Sequence, residues 1–247
     1  MHLKVGYAPQ AKLSWINPTL EESRRKSIAA LEALGAEVVA GPLLTSDEAA
    51  MELADEFRRQ QVDVMVFHYL TFPLGSMTPI LAQRVGVPVI LWSAPEPPFD
   101  GGRLKANSFC ASNMNCHALT KLHHPYGFVF GTPETVAADM ARHFRVAASI
   151  KRLRTARLGV VGSRVPGFYT SAFNEMELRR RLGVEIQFID LLEIVHTAEH
   201  LSQEKADAAY AHITKDAGCG GCATEEQLRK AARLYASFVE YKNKLKL

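Results

Sequence analysis

The chain has 247 residues, of which 47% are hydrophobic and 22% are charged, a composition typical of an ordinary globular protein and not of a disordered or fibrous one. Its formal charge of +3 comes from 29 basic and 26 acidic residues. Because these residues are spread along the sequence, they give no concentrated positive charge that would attract nucleic acid or a membrane surface. The sequence shows no secretory leader pattern and no run of about 18 apolar residues. We therefore expect a cytoplasmic protein that binds neither nucleic acid nor membrane.

In the first part of the chain, apolar runs of strand length alternate with amphipathic stretches of helix length, a pattern that indicates βα units around a parallel sheet. Strands are predicted at 3–8, 36–44, 62–70, 87–93 and 126–131, and helices near 18–34, 46–60, 76–85, 108–122 and 133–153. Asn17, Ser46 and Thr132 are suitable N-cap residues for three of these helices. We therefore predict an α/β domain over residues 1–154, with a doubly wound (flavodoxin- or Rossmann-like) parallel sheet of five strands whose carboxyl ends line a ligand crevice.

A basic segment at 151–157 precedes a second α/β domain, predicted over residues 155–247. Its strands are expected at 158–163 and 184–191, and its helices around 173–182, 198–216 and 224–245. The chain reaches its last residue where the alternation calls for another strand. The second domain is therefore expected to be incomplete.

The loop and helix that follow the fourth strand are rich in neutral hydrogen-bonding groups. Asn113, Asn115 and His117 can serve the hydroxyl groups of a sugar or polyol, and Asn113 and His117 lie one helical turn apart. The aromatic residues nearby are Trp92, Phe99 and Phe109. Glu96, in the same loop, is a further candidate for a substrate contact. The alternative is that these polar residues only cap and solvate a helix start.

Other motifs are weaker signals. Cys219 and Cys222 form a CxxC motif, but they lie between two predicted helices and not after a first strand, so an incidental pair of thiols is the favoured interpretation over a redox or metal site. Cys110, Cys116, His123 and His124 match no usual zinc spacing. The acidic residues near strand ends form no tight constellation.

The segment at 162–175 follows the first strand of the second domain and contains neither a dinucleotide-binding nor a P-loop glycine pattern. Arg164, Phe168 and Tyr169 lie in it, at the edge of the sheet where a ligand between the domains would meet them. An ordinary structural turn is equally compatible with this segment.

Several longer stretches together resemble the L-fucose/L-arabinose isomerase family, particularly its fucose isomerase-like branch, over the N-terminal half of its members. They are "LTFPLGSM" (70–77), "VGVPVILW" (85–92), "NSFCASNMNCH" (107–117), "YGFVFG" (126–131) and "LGVVGSRVPGFYTSAFNEMELRRRLGVEI" (158–186). The resemblance implies aldose–ketose isomerisation with a divalent cation, typically Mn²⁺, and a pair of acidic residues that move a proton between C1 and C2. It places those residues beyond Leu247.

The same resemblance implies homo-oligomers, trimers or hexamers, in which the N-terminal domain of one subunit covers the active site of a neighbour. His117 matches a histidine that reaches such a neighbouring site. Gln10, at the end of "APQ" (8–10), occupies a corresponding ligand-facing place.

The first hypothesis is therefore the N-terminal portion of a sugar isomerase-like protein that contributes substrate contacts and assembly, with no catalytic residue, metal or cofactor of its own. Its candidate substrate-binding residues are Gln10, Trp92, Glu96, Asn113, Asn115, His117, Arg164, Phe168 and Tyr169. The alternatives are a non-catalytic sugar-binding or regulatory module of two α/β lobes, and a thiol oxidoreductase that uses Cys219 and Cys222.

Overall fold

A computed structural model describes residues 3–98, 100–216 and 223–247. The chain divides into two compact units, Met1–Lys151 and Arg152–Leu247. Within the described residues, no helix is both long and apolar enough to cross a membrane.

The first unit is built on a parallel sheet of five strands in the order β2-β1-β3-β4-β5. The strands are β1 (Leu3–Gln10), β2 (Ala36–Ala40), β3 (Val64–Tyr69), β4 (Val89–Ser93) and β5 (Tyr126–Phe130). This is the flavodoxin-like order of a doubly wound sheet, as predicted from the alternation of apolar and amphipathic segments.

Helices cover both faces of this sheet. They are α1 (Pro18–Ala33), α2 (Asp47–Arg59), α3 (Met77–Val85), α4 (Ser108–Lys121) and α5 (Ala137–Arg154). Asn17 and Ser46 cap α1 and α2 as expected, because their side chains accept hydrogen bonds from the amides of Thr19 and Ala49.

The predicted start of α5 is wrong by four residues. Thr132 does not cap that helix, because its amide donates to Thr135 Oγ1 at 2.9 Å in a local turn and the helix begins only at Ala137. A hydroxyl side chain can accept a hydrogen bond from a backbone amide three residues earlier and so form a turn before the helix. The sequence pattern alone does not distinguish such a turn from an N-cap.

The core lies in two layers, one on each face of the sheet. One layer packs α2, α3 and α4 around residues such as Phe67 and Leu91. The other packs α1 and α5 around Tyr7, Val66 and Trp92. Because both faces are covered, β3 and β4 have no exposed residue, and their near-continuous apolar sequences follow from this.

The second unit has a smaller parallel sheet of two strands, β6 (Arg157–Val161) and β7 (Glu185–Ile189), both predicted. Its helices are α6 (Glu175–Leu182), α7 (Leu191–His200), α8 (Gln203–Asp216) and α9 (Glu225–Leu245). The sequence predicts a single helix over 198–216, and this prediction is wrong at its start: the structure has a separate helix, α7, that ends at His200, and α8 begins at Gln203. Asp190 starts α7 by accepting a hydrogen bond from the Leu192 amide at 2.8 Å.

Candidate functional site

The candidate site lies at the carboxyl edge of the five-stranded sheet. The strand order reverses between β1 and β3, and open α/β sheets bind ligands in the crevice beyond such a switch point. Lys12 follows β1, Thr71 follows β3 and Ala94 follows β4. The amide of Lys12 donates to Thr71 Oγ1 at 2.8 Å, which joins the first two loops at this edge.

Gln10 lies at the end of β1 but has no exposed surface. Its amide nitrogen donates to Thr78 Oγ1 at 3.1 Å, and the Tyr69 hydroxyl lies 2.9 Å from the same oxygen. Gln10 therefore links β1 and β3 to the start of α3 beneath the edge. A direct ligand contact by Gln10 stays a prediction.

Three serines fix the start of α4 to the ends of β3 and β4. Ser93 Oγ donates to the carbonyl of Ser108 at 3.1 Å and also hydrogen-bonds the Ser112 hydroxyl. Ser108 Oγ donates to the carbonyl of Tyr69 and accepts from the amide of Ala94 at 3.1 Å. All three serines are buried, so the polar groups at this junction are paired. Sequence reasoning missed them, although the spacing of Ser108 and Ser112 already places both on one helical face.

Three side chains that could contact a ligand lie in a row on the exposed face of α4. Phe109, Asn113 and His117 are all exposed and follow one another at intervals of four residues, so they lie along one side of the helix. The ring of Phe109 packs edge-on against Phe130 and Phe128 of β5, with centroid distances of 5.7 and 6.1 Å. The exposed face therefore carries a cluster of aromatic rings, followed along α4 by the Asn113 amide and the His117 imidazole. Phe128 and Phe130 were not singled out from the sequence.

Asn115 and Trp92, two other candidates, are fully buried. Asn115 faces the sheet, where its Nδ2 donates to the carbonyl of Ala111 at 2.9 Å and its Oδ1 has no partner among the described residues. Trp92 stacks on His68 with ring centroids 4.0 Å apart and donates from Nε1 to the carbonyl of Gly131 at 2.9 Å. Asn115 lies between α4 and the sheet, whereas Trp92 belongs to the core layer on the other face of the sheet, with α1 and α5. A ligand contact by either residue stays a prediction.

Glu96 uses its carboxylate to close the loop that leads into α4. It accepts hydrogen bonds from the backbone amides of Lys105, Ala106 and Asn107 at 2.5, 3.0 and 2.6 Å. Burial alone would raise the pKa of Glu96, but these hydrogen bonds to the charged form outweigh it and lower the pKa. Glu96 is therefore ionised, and its hydrogen bonds fix the position of Asn107. Asn107 has a left-handed backbone conformation (φ 52°) and immediately precedes the first residue of α4.

Arg164, Phe168 and Tyr169 lie in the second unit, in the connection between β6 and α6. Arg164 places its guanidinium 5.1 Å from the centre of the Tyr169 ring, a cation–π geometry. Phe168 and Tyr169 are 60% and 78% exposed. These three residues are brought together on a surface, and their predicted role in binding stays a prediction.

Among residues 3–98, 100–216 and 223–247, no group of three or more histidine, cysteine, aspartate or glutamate side chains is gathered to hold a metal ion. Of the two carboxylates in the loop after β4, Glu96 accepts hydrogen bonds from backbone amides, and Asp100 pairs with the Lys105 ammonium at 2.6 Å. The residues described at this edge therefore do not fit the oxygen-rich ligand set that Mn²⁺ prefers. Cys110 and Cys116 are free thiols, and Cys219 and Cys222 lie outside the described residues.

A family model described as the fucose/sulfoquinovose isomerase N-terminal domain matches residues 14–154, more than half of the chain. The chain belongs to the fucose/sulfoquinovose isomerase family. This confirms the resemblance to fucose isomerase-like proteins, and with it a place among sugar isomerases.

Sulfoquinovose isomerase of Priestia megaterium (strain ATCC 12872 / QMB1551) is 32% identical over 204 residues, which cover 81% of this chain and 46% of that protein. Sulfoquinovose isomerase of Clostridium sp. (strain MSTE9) is 27% identical over 245 residues, 96% of this chain and 54% of that protein. The chain thus spans about half the length of these curated relatives.

Among solved structures, a periplasmic solute-binding protein of an ABC transporter from Actinobacillus succinogenes 130z, crystallised with bound D-allose, aligns with 87% of this chain and 66% of its own. The TM-score is 0.30 and the sequence identity 11%.

Proposed function

We propose that this chain supplies a sugar-binding wall to an aldose–ketose isomerase whose substrate is a sulfonated hexose of the sulfoquinovose type. The observation that carries the proposal is the rigidly positioned α4, which presents Phe109, Asn113 and His117 in line beside Phe130 within the segment matched by the family. An aromatic face suits the apolar C–H surface of a sugar ring. An amide and an imidazole supply both donors and acceptors for its hydroxyls.

We propose further that the divalent cation, expected to be Mn²⁺, and the acidic pair that moves the proton between C1 and C2 come from polypeptide outside this sequence. In support, the Glu96 carboxylate accepts three backbone hydrogen bonds that lower its pKa, which makes it a weak base for taking a proton from the substrate. The proposed role of this chain is to orient the sugar, to exclude water and to assemble a homo-oligomer in which His117 reaches a neighbouring subunit.

Titration of the chain with sulfoquinovose, followed by calorimetry, tests the wall. We expect weak but saturable binding, reduced about fivefold or more by Asn113→Ala or His117→Ala, because each substitution removes one hydrogen-bonding partner of a hydroxyl. Arg142→Ala is the matched control: Arg142 is exposed on α5, which packs on the opposite face of the sheet from α4, so binding should be unchanged. Absence of binding, or equal binding by all four proteins, contradicts the proposal.

A turnover assay separates this role from that of a complete enzyme. With Mn²⁺ and sulfoquinovose added, the chain alone is expected to form no ketose. Measurable turnover would show that the proton-transfer groups lie within these 247 residues. Tight sugar binding by a monomer, without turnover, would instead favour the alternative of a non-catalytic binding module.

A further inference from the structure

Helix α7 carries two histidines along one side. His196 and His200 are four residues apart, so the helical repeat places both on the same side of the helix, one turn apart. Both histidines are exposed, and their rings stack with centroids 4.1 Å apart at an interplanar angle of 27°. Two imidazoles four residues apart on a helix are thus already side by side.

The backbone determines which nitrogen of His200 faces outward. His200 Nδ1 lies 2.8 Å from the carbonyl oxygen of His196, and a carbonyl can only accept, so Nδ1 carries the proton. The lone pair is then on Nε2, which points away from the backbone. A ring N–H donated to a backbone carbonyl is the arrangement that usually orients a metal-binding histidine.

The surroundings of the pair are mixed in charge. A shallow cleft beside His196 is lined by Leu192, Glu193, Thr197, Tyr241 and Lys244. Glu193 accepts a hydrogen bond from the Tyr241 hydroxyl through Oε2 at 2.9 Å, which leaves its other oxygen uncommitted in that bond. The Lys244 ammonium lies 5.1 Å from the centre of the Tyr241 ring. The cleft beside His196 therefore contains one carboxylate and one ammonium group.

We propose that His196 and His200 form a surface site for one divalent transition-metal ion of the zinc, nickel and copper class, with water in the remaining positions. Imidazole nitrogen suits these ions, whereas Mn²⁺ prefers oxygen ligands. The site therefore differs in ligand chemistry from a Mn²⁺ centre for isomerisation. It rests on α7 alone and is independent of the proposed sugar wall.

Zn²⁺ titration of the whole chain, by calorimetry or equilibrium dialysis, tests the site. A Cys219→Ser/Cys222→Ser background is used as the parent, because the thiols of a CxxC motif bind zinc on their own. In that background, His196→Ala and His200→Ala should each weaken binding of one Zn²⁺ by about tenfold or more.

His212→Ala is the matched control. His212 is an exposed histidine on α8 that stacks on Tyr235, and the positions four residues to either side of it are alanine and aspartate. This variant should bind Zn²⁺ as the parent does. Circular dichroism should give the same helical signal for all variants, because the substituted side chains lie on the surface. Equal Zn²⁺ affinity in the His196→Ala/His200→Ala double variant and its parent would overturn the proposal.

Discussion

His68 is a buried, ionisable residue in the middle of the first unit. Its Nδ1 lies 2.9 Å from the Tyr7 hydroxyl, and its Nε2 has no hydrogen-bond partner among the described residues. A buried imidazolium would lose its hydration, so His68 is neutral in the folded protein.

Burial lowers the pKa of His68 from 6.5 to about 3 because the charged imidazolium loses its water. The unfolded chain then binds more protons than the folded chain between these two values, so stability falls as pH drops below 6.5. From about pH 7 to about pH 4.5 we expect His68 to remove roughly 2–3 kcal/mol of the free energy of unfolding.

Urea unfolding at both pH values measures this loss. His68→Phe keeps an aromatic ring against Trp92 and cannot titrate, so its stability should fall less with pH than that of the wild type, whatever its stability at neutral pH. If the two proteins lose the same free energy between these pH values, His68 is not the group responsible.

At the scale of the element, the attachment of α4 to the sheet depends on the buried hydroxyl of Ser108. Ser108→Ala leaves the Ala94 amide and the Tyr69 carbonyl without their partner, and unpaired buried polar groups cost about 1–3 kcal/mol. We expect a loss of that size in the free energy of unfolding, measured in urea.

Ser149→Ala is the control for this substitution. Its hydroxyl also donates to a backbone carbonyl, that of Arg145, but on the exposed side of α5. Its effect should stay within about 0.5 kcal/mol. A Ser108→Ala protein as stable as Ser149→Ala would show that α4 is held by its apolar contacts alone.

Elements of this kind were predictable only in part. The central strands β3 and β4 are predictable because burial on both faces demands continuous apolar sequence. The start of α7 is hard to predict because Leu191 and Leu192 continue the apolar stretch that ends β7, and Ile194 and Val195 are β-branched residues that weakly disfavour a helix. The roles of Glu96 and Ser108 depend on where distant backbone groups come to lie, which no local pattern contains.

At the scale of the whole molecule, the two units differ in how much they bury. In the first unit every residue of β3 and β4 is buried, and β1, between β2 and β3, is nearly so. In the second, Ile189 is the buried residue of the two strands, while Leu158 and Phe188 are 51% and 64% exposed. Two strands rarely form a stable sheet without extensive packing, so the second unit should open at a lower free energy than the first.

Native-state hydrogen exchange measures this difference directly. We expect the amides of β6 and β7 to exchange at least about tenfold faster than those of β1, β3 and β4, since each 1.4 kcal/mol of opening free energy corresponds to a factor of about ten. The matched comparison is between Val160 and Val66, which share a residue type and a central strand position. Val160 is half-buried and Val66 fully buried. Equal protection at these two amides would mean that the second sheet is stabilised by contacts beyond its own helices, such as those with another copy of the chain.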